Sequence, residues 1–180
     1  METAAHPRTL FKRRSVGTML GDSTSFSSAG AGVVRTFRWW TSALIDLATG
    51  SLQLPTVSLP VTPTLTHDEF IRNSTEHAVL IDNATWISYT LPQQSLANTQ
   101  FAVVLCFTND RVESIELSHV FPNRDESWSN WSKEAELERK AIHDKWLVGR
   151  GLTQDTYDWG SVYSEFDAKS GASVIIFRYG

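Results

Sequence analysis

His67-Asp68-Glu69 sets an imidazole two residues from a carboxylate, the His-x-Glu pattern that activates a zinc-bound water. The Cys pair that would complete such a site is missing, because the chain holds one cysteine. His77, His119 and His143 complete the set of candidate ligands, and no His-Glu-x-x-His joins any two of them. No metal or cofactor is expected from these spacings. Cys106 sits in the most apolar stretch, where a thiol behaves as a small hydrophobe with a raised pKa. No Gly-x-Ser-x-Gly elbow exists. His143 and Asp144 are neighbours on a helix and point about 100° apart, so they form no dyad. Gly149-Arg150-Gly151 lacks the Lys-Ser/Thr of a phosphate loop and reads as a helix stop. Three Asn-x-Ser/Thr sequons, at Asn73, Asn83 and Asn130, carry no weight without a secretory signal.

Two sets of residues survive this sorting. Trp128 and Trp159 lie in polar stretches, with Asp125, Glu126, Tyr157 and Asp158 beside them. Aromatic residues inside a charged rim are the composition of a protein-binding patch. Trp131 and Trp146 are expected in the core instead. The alternative set is His119, Glu165 and Asp167. His119 falls on the apolar face of its strand with Ile115 and Leu117, and Glu165 and Asp167 lie two apart on another strand. An imidazole and a carboxylate in one pocket would suit a small hydrolase or ligand-binding enzyme.

The elements that must position these groups follow from periodicity. Thr66-His67-Asp68-Glu69 has the form of a capping box, so a short helix through Phe70-Ile71-Arg72 is expected. Ala78–Ile81, Ile87–Leu91, Phe101–Phe107 and Val112–His119 read as strands. Phe101–Phe107 is apolar on both faces and belongs inside a sheet. Val112 is out of phase with Ile115 and Leu117, which points to a bulge or a late start. A long helix is expected over about 132–148. Ser132 would cap it, and Trp131, Ala135, Ile142 and Trp146 would form its buried stripe. Glu136 and Lys140 would then pair on its solvent side. Residues 159–166 and 172–179 flank a five-residue loop and read as a C-terminal β-hairpin. The expected fold is α+β, an antiparallel or mixed sheet packed on one side by the long helix.

Length and charge bound the function. A chain of 180 residues suits one domain, expected over 36–180. Residues 1–35 are basic and rich in Ser and Gly, and are expected to be a disordered extension. Their composition also fits an organellar transit peptide, or a start assigned upstream of Met19. Residues 1–40 carry six basic and two acidic side chains, and the remainder ten basic and 18 acidic. The acidic body disfavours nucleic acid, whose phosphates need clustered Lys and Arg. It favours another protein as partner, a basic one if charge steers the encounter. No apolar run approaches the roughly 20 residues of a membrane span. A cytoplasmic interaction protein, of which an immunity-type inhibitor of a toxin is one form, is therefore the expected function.

Overall fold

The structure, a computed structural model, describes residues 44–83 and 85–180. The expectations for residues 1–35, and for a start of structure near Thr36, lie outside the described residues. Two short strands, β1 (Ile45–Asp46) and β2 (Ser51–Leu52), pair antiparallel across a turn. Asp46 organises that turn by accepting from Ala48 N–H at 3.0 Å and from the Thr49 hydroxyl at 2.9 Å. The proline-bearing stretch that follows forms only isolated bridges, Leu52 with Val61 and Val57 with Ser74. A ring in place of an N–H leaves it unable to sustain a ladder. Its Leu54, Val57, Val61 and Leu65 are nonetheless buried.

Helix α1 (His67–Asn73) opens with both halves of the capping box. Glu69 N–H donates to Thr66 Oγ1 at 3.2 Å, and Thr66 N–H donates to Glu69 Oε2 at 3.0 Å. Phe70 is the one buried residue of α1 and packs on Tyr89 and Phe107.

The remaining strands are β3 (Ala78–Asp82), β4 (Trp86–Leu96), β5 (Thr99–Thr108), β6 (Arg111–His119), β7 (Asp155–Tyr157), β8 (Gly160–Asp167) and β9 (Ala172–Tyr179). They form one seven-stranded sheet in the order β3-β4-β5-β6-β9-β8-β7. Every pairing is antiparallel. The fold is α+β, as expected, with the C-terminal hairpin β8–β9 in place. Strands β5 and β9, the two with apolar residues on both faces, are internal to the sheet. Ala97-Asn98 and Asn109-Asp110 make two-residue turns with positive φ at both positions, the backbone that matches the twist of a hairpin. The phase break at Val112 is a bulge: Phe107 pairs Val112 while Cys106 pairs Ser114.

One face of the sheet carries the core. Phe101, Val103, Leu105 and Phe107 of β5 meet Ile115 and Leu117 of β6 and Ile175 and Phe177 of β9. Full burial of each such side chain is worth roughly 1.5–3 kcal/mol. Helix α2 (Lys133–Gly149) lies against β6, β8 and β9. It begins at Ser132, whose hydroxyl accepts from Ala135 N–H at 3.1 Å. None of the helices among the described residues is long and apolar enough to cross a membrane.

The inward face of α2 corrects the sequence expectation. Its buried residues are Glu136, Arg139, His143, Trp146 and Leu147. Of the expected stripe only Trp146 is buried. Ala135 and Ile142 are half-buried, and Trp131 is exposed. Glu136 does not pair Lys140 on the solvent side. It is buried and bonds Arg139, while Lys140 reaches Asp144 at 2.8 Å.

The cause is a split in the sheet. The β6–β9 ladder ends at Leu117 opposite Ile175, and continuing that register would set His119 opposite Ser173. There, side chains of α2 take over the main-chain bonds. His119 N–H donates to His143 Nε2 at 2.9 Å, and the His119 carbonyl accepts from Arg139 Nη1. Ser173 N–H donates to Glu136 Oε2 at 2.7 Å, and the Ser173 hydroxyl donates to the Glu136 carbonyl at 2.6 Å. Buried main-chain groups must be paired, so the polar side chains are drawn inward.

Candidate functional site

The loop before α2 is held in one conformation by its own polar groups. Asp125 Oδ1 accepts from Ser127 N–H at 2.9 Å, and Asp125 Oδ2 accepts from Asn130 Nδ2 at 2.8 Å. A single 3-10 turn, Trp128–Asn130, follows. Glu126 Oε1 accepts from Arg139 Nη2 at 2.8 Å and from Phe121 N–H at 3.3 Å. Arg124 lies over the Phe121 ring at 3.9 Å and bonds Glu138 at 2.9 Å. Asp125 and Glu126 therefore serve the loop's shape while remaining exposed.

That loop presents two indoles. Trp128 and Trp131 are 52% and 44% exposed, with ring centroids 6.3 Å apart and planes tilted by 41°. Trp131 reaches across to the β8–β9 turn, where Nε1–H donates to the Gly171 carbonyl at 2.6 Å. Gly171 has φ 66°, and a Cβ there would lie 3.4 Å from the Trp131 ring. Glycine thus admits both the turn and the close approach of the indole. The turn is tied by Gly171 N–H to the Asp167 carbonyl at 2.8 Å and by Lys169 N–H to Asp167 Oδ1 at 2.9 Å. Between loop and turn runs an open groove of about 430 Å³. Trp128, Trp131, Lys133, Phe166, Lys169 and Gly171 line it. The Lys133 ammonium sits 5.9 Å from the centre of the Phe166 ring.

The other half of the expected patch lies elsewhere. Tyr157, Asp158 and Trp159 precede β8, whereas Trp131 meets the turn at its far end, roughly 23 Å along an eight-residue strand. Trp159 is 7% exposed and is a core residue, which removes it from any docking surface. Its Nε1–H donates to the Leu47 carbonyl at 2.8 Å, and Tyr157 stacks on it at 4.9 Å with an interplanar angle of 11°. Its ring lies flat on Gly50, where a Cβ would fall 2.3 Å from Trp159 Cδ2. Tyr179 closes this cluster, donating its hydroxyl to the Gly50 carbonyl at 2.9 Å. Burial pushes the Tyr179 hydroxyl pKa well above its usual range. Asp158 is exposed beside the cluster.

The alternative set does not come together either. His119 and Ser164 are in phase with Leu117 and Ile175 on the helix-covered face. Strand alternation then puts Glu165 and Asp167 on the opposite face. His119 Nδ1 lies 3.2 Å from the Gln100 carbonyl, and its ring meets Phe121 edge-on at 4.9 Å. Burial lowers its pKa, against the hydrogen bond to Gln100. Glu165 is exposed.

Two further features have chemical potential. One ligand atom each from His67, Asp68 and Asp110 lies within 4.8 Å of the others, the donor types of a divalent cation site. His67 Nε2 is 2.6 Å from the Tyr89 hydroxyl, which orients the ring. Both carboxylates are solvent-exposed, and the group sits at the start of α1, the positive end of a helix. That end opposes a cation, so the cluster reads as a solvated turn. A second open cleft of about 650 Å³ runs between Asp46, Gln53, Pro60 and Arg150. The Asp46 carboxylate in it is already engaged by Ala48 and Thr49.

The sequence singled out Trp128 but assigned Trp131 to the core, and it passed over Lys133, Phe166, Lys169 and Gly171. One signal was available: Trp131 precedes the N-cap Ser132, so it stands outside the helix whose stripe it was counted in. Comparison of the chain with protein-family models, with curated proteins and with solved structures finds no match, so the functional reading rests on this geometry.

Proposed function

We propose that this chain is a protein-interaction module that docks its partner in the groove between the 125–131 loop and the β8–β9 turn. The observation that carries the reading is the exposure of Trp128 and Trp131, 52% and 44%, on a loop tied by hydrogen bonds of Asp125 and Glu126. Tryptophan dominates the binding energy of protein interfaces, and a pre-ordered site loses little entropy on association. An immunity-type inhibitor of a toxin is a narrower form of the same reading. It draws on the excess of acid over residues 41–180. The groove itself contributes two lysines and no acid, so it supports docking without supporting a basic partner at this contact. A hydrolase built on His119 has no observation in its favour, since His119 and Glu165 lie on opposite faces of the sheet.

The test is affinity capture from the native host with the wild-type chain and Trp128→Ala side by side. A stoichiometric partner held by the wild type, weakened tenfold or more by Trp128→Ala and recovered by Trp128→Phe, supports the groove. A partner held equally by both chains moves the site elsewhere on the molecule. Absence of any stoichiometric partner argues against an interaction module.

A further inference from the structure

We infer that the groove recognises an acidic segment of the partner protein, with carboxylates on Lys133 and Lys169 and an apolar side chain against Trp128 and Trp131. This rests on the docking function proposed above and deepens it. The lining residues carry two lysines and no carboxylate. They do so in a body, residues 41–180, where acids outnumber bases 18 to ten. Among the described residues neither lysine has a carboxylate within 4.0 Å, whereas Arg139 and Lys140 of the same helix are both paired.

Lys133 occupies the first position of α2, where the helix's own partial positive charge disfavours a cation. Glu134, Glu136 and the Ser132 cap already answer the helix end, so an anion bound beside Lys133 would be favoured by the ammonium. Phe166 props the Lys133 ammonium over its ring face, and Asp167 Oδ1 fixes the main chain at Lys169. The surrounding acidic body does not cancel this field. Exposed charges farther than about 8 Å are screened at physiological salt; of the nearer acids, Glu134 adjoins Lys133 and Asp167 is bonded to the Lys169 N–H, and neither lines the groove.

The experiment uses the full chain with three synthetic peptides of one scaffold around a central Phe. The flanking residues are Asp and Glu in the first, Asn and Gln in the second, and Lys in the third. Indole N–H resonances of Trp128 and Trp131 are followed by NMR titration at millimolar peptide. The expected result is a shift of both indoles by the acidic peptide, with at least fivefold weaker binding of the Lys peptide. The affinity should fall severalfold from 50 to 300 mM salt. Lys133→Glu with Lys169→Glu should invert the preference, and both positions are exposed, so the fold survives the change. If all three peptides shift the indoles alike, docking stands and recognition of acid is overturned. If none shifts either indole, the docking function falls with it. Self-association lost in Trp128→Ala, seen by sedimentation without peptide, would assign the groove to a second copy and overturn the inference.

Discussion

The main-chain N–H of His119 donates to Nε2 of His143 at 2.9 Å, across the gap where strand β9 would otherwise have supplied a carbonyl. An accepting Nε2 means that the imidazole is neutral with its proton on Nδ1. His143 is fully buried and stacks on Phe101 at 6.1 Å. Burial, then repulsion from Arg139 and His119, lowers its pKa from 6.5 to about 3, against attraction from Asp144.

This pairing predicts a specific acid sensitivity. Below about pH 6.5 the unfolded chain protonates His143 while the folded chain does not, so stability falls as pH drops from 6.5 toward 3. Each unit in that window is worth up to about 1.4 kcal/mol. His143→Gln keeps an acceptor for His119 N–H but has no proton to gain. Urea unfolding between pH 7 and pH 4 should show the wild type losing about 2–3 kcal/mol more than His143→Gln. Parallel curves would show that His143 is charged in the fold.

Arg139 bridges Glu136, Glu126 and the His119 carbonyl. Arg139→Ala leaves Glu136 as a buried carboxylate without its cation, a change that costs about 3–5 kcal/mol. Glu136→Gln with Arg139→Gln removes both charges together. Chemical denaturation should find that double variant less destabilised than Arg139→Ala, because it leaves no buried charge unpaired.

Gly50 has φ 69° and supports the face of Trp159. Gly50→Ala therefore meets backbone strain and an aromatic ring at once. A loss of about 2–4 kcal/mol is expected, with a red shift of tryptophan fluorescence as Trp159 lifts from its seat. An unchanged unfolding midpoint would mean that the turn rebuilds around the methyl group.

Trp128 and Trp131 should separate in stability although both are exposed. Among the described residues the Trp128 indole makes no hydrogen bond, its carbonyl alone accepting from Trp131 N–H at 3.3 Å, and Trp128→Ala should shift stability by less than about 0.5 kcal/mol. Trp131→Ala removes the bond to the Gly171 carbonyl and should cost about 1–2 kcal/mol. Equal thermal midpoints for the two variants would mean that Trp131 does not tie the loop to the hairpin.

Thr66→Ala removes the hydroxyl that accepts from Glu69 N–H. A loss of about 1 kcal/mol is expected, and Thr66→Ser should restore most of it. Amide exchange at Glu69 would report the change directly.

Local chemistry alone determined most of the elements. The capping box at Thr66, the alternation at Ile115 and Leu117, the bulge after Val112 and the C-terminal hairpin each depend on residues a few positions apart. Such information is contained in the chain's own periodicity. One turn escaped, because Ala97 with φ 50° is not a residue that announces a hairpin. Tertiary structure decided the rest. Counting apolar residues along α2 picked the wrong stripe, since the inward positions answer to unpaired main-chain groups at His119 and Ser173. The groove exists only because Trp131 meets Gly171, 40 residues away. A polar side chain goes inward where the sheet leaves a donor or acceptor unmet, and an indole stays outward where a glycine turn fixes it. Neither condition is encoded in the spacing of the residues that satisfy it.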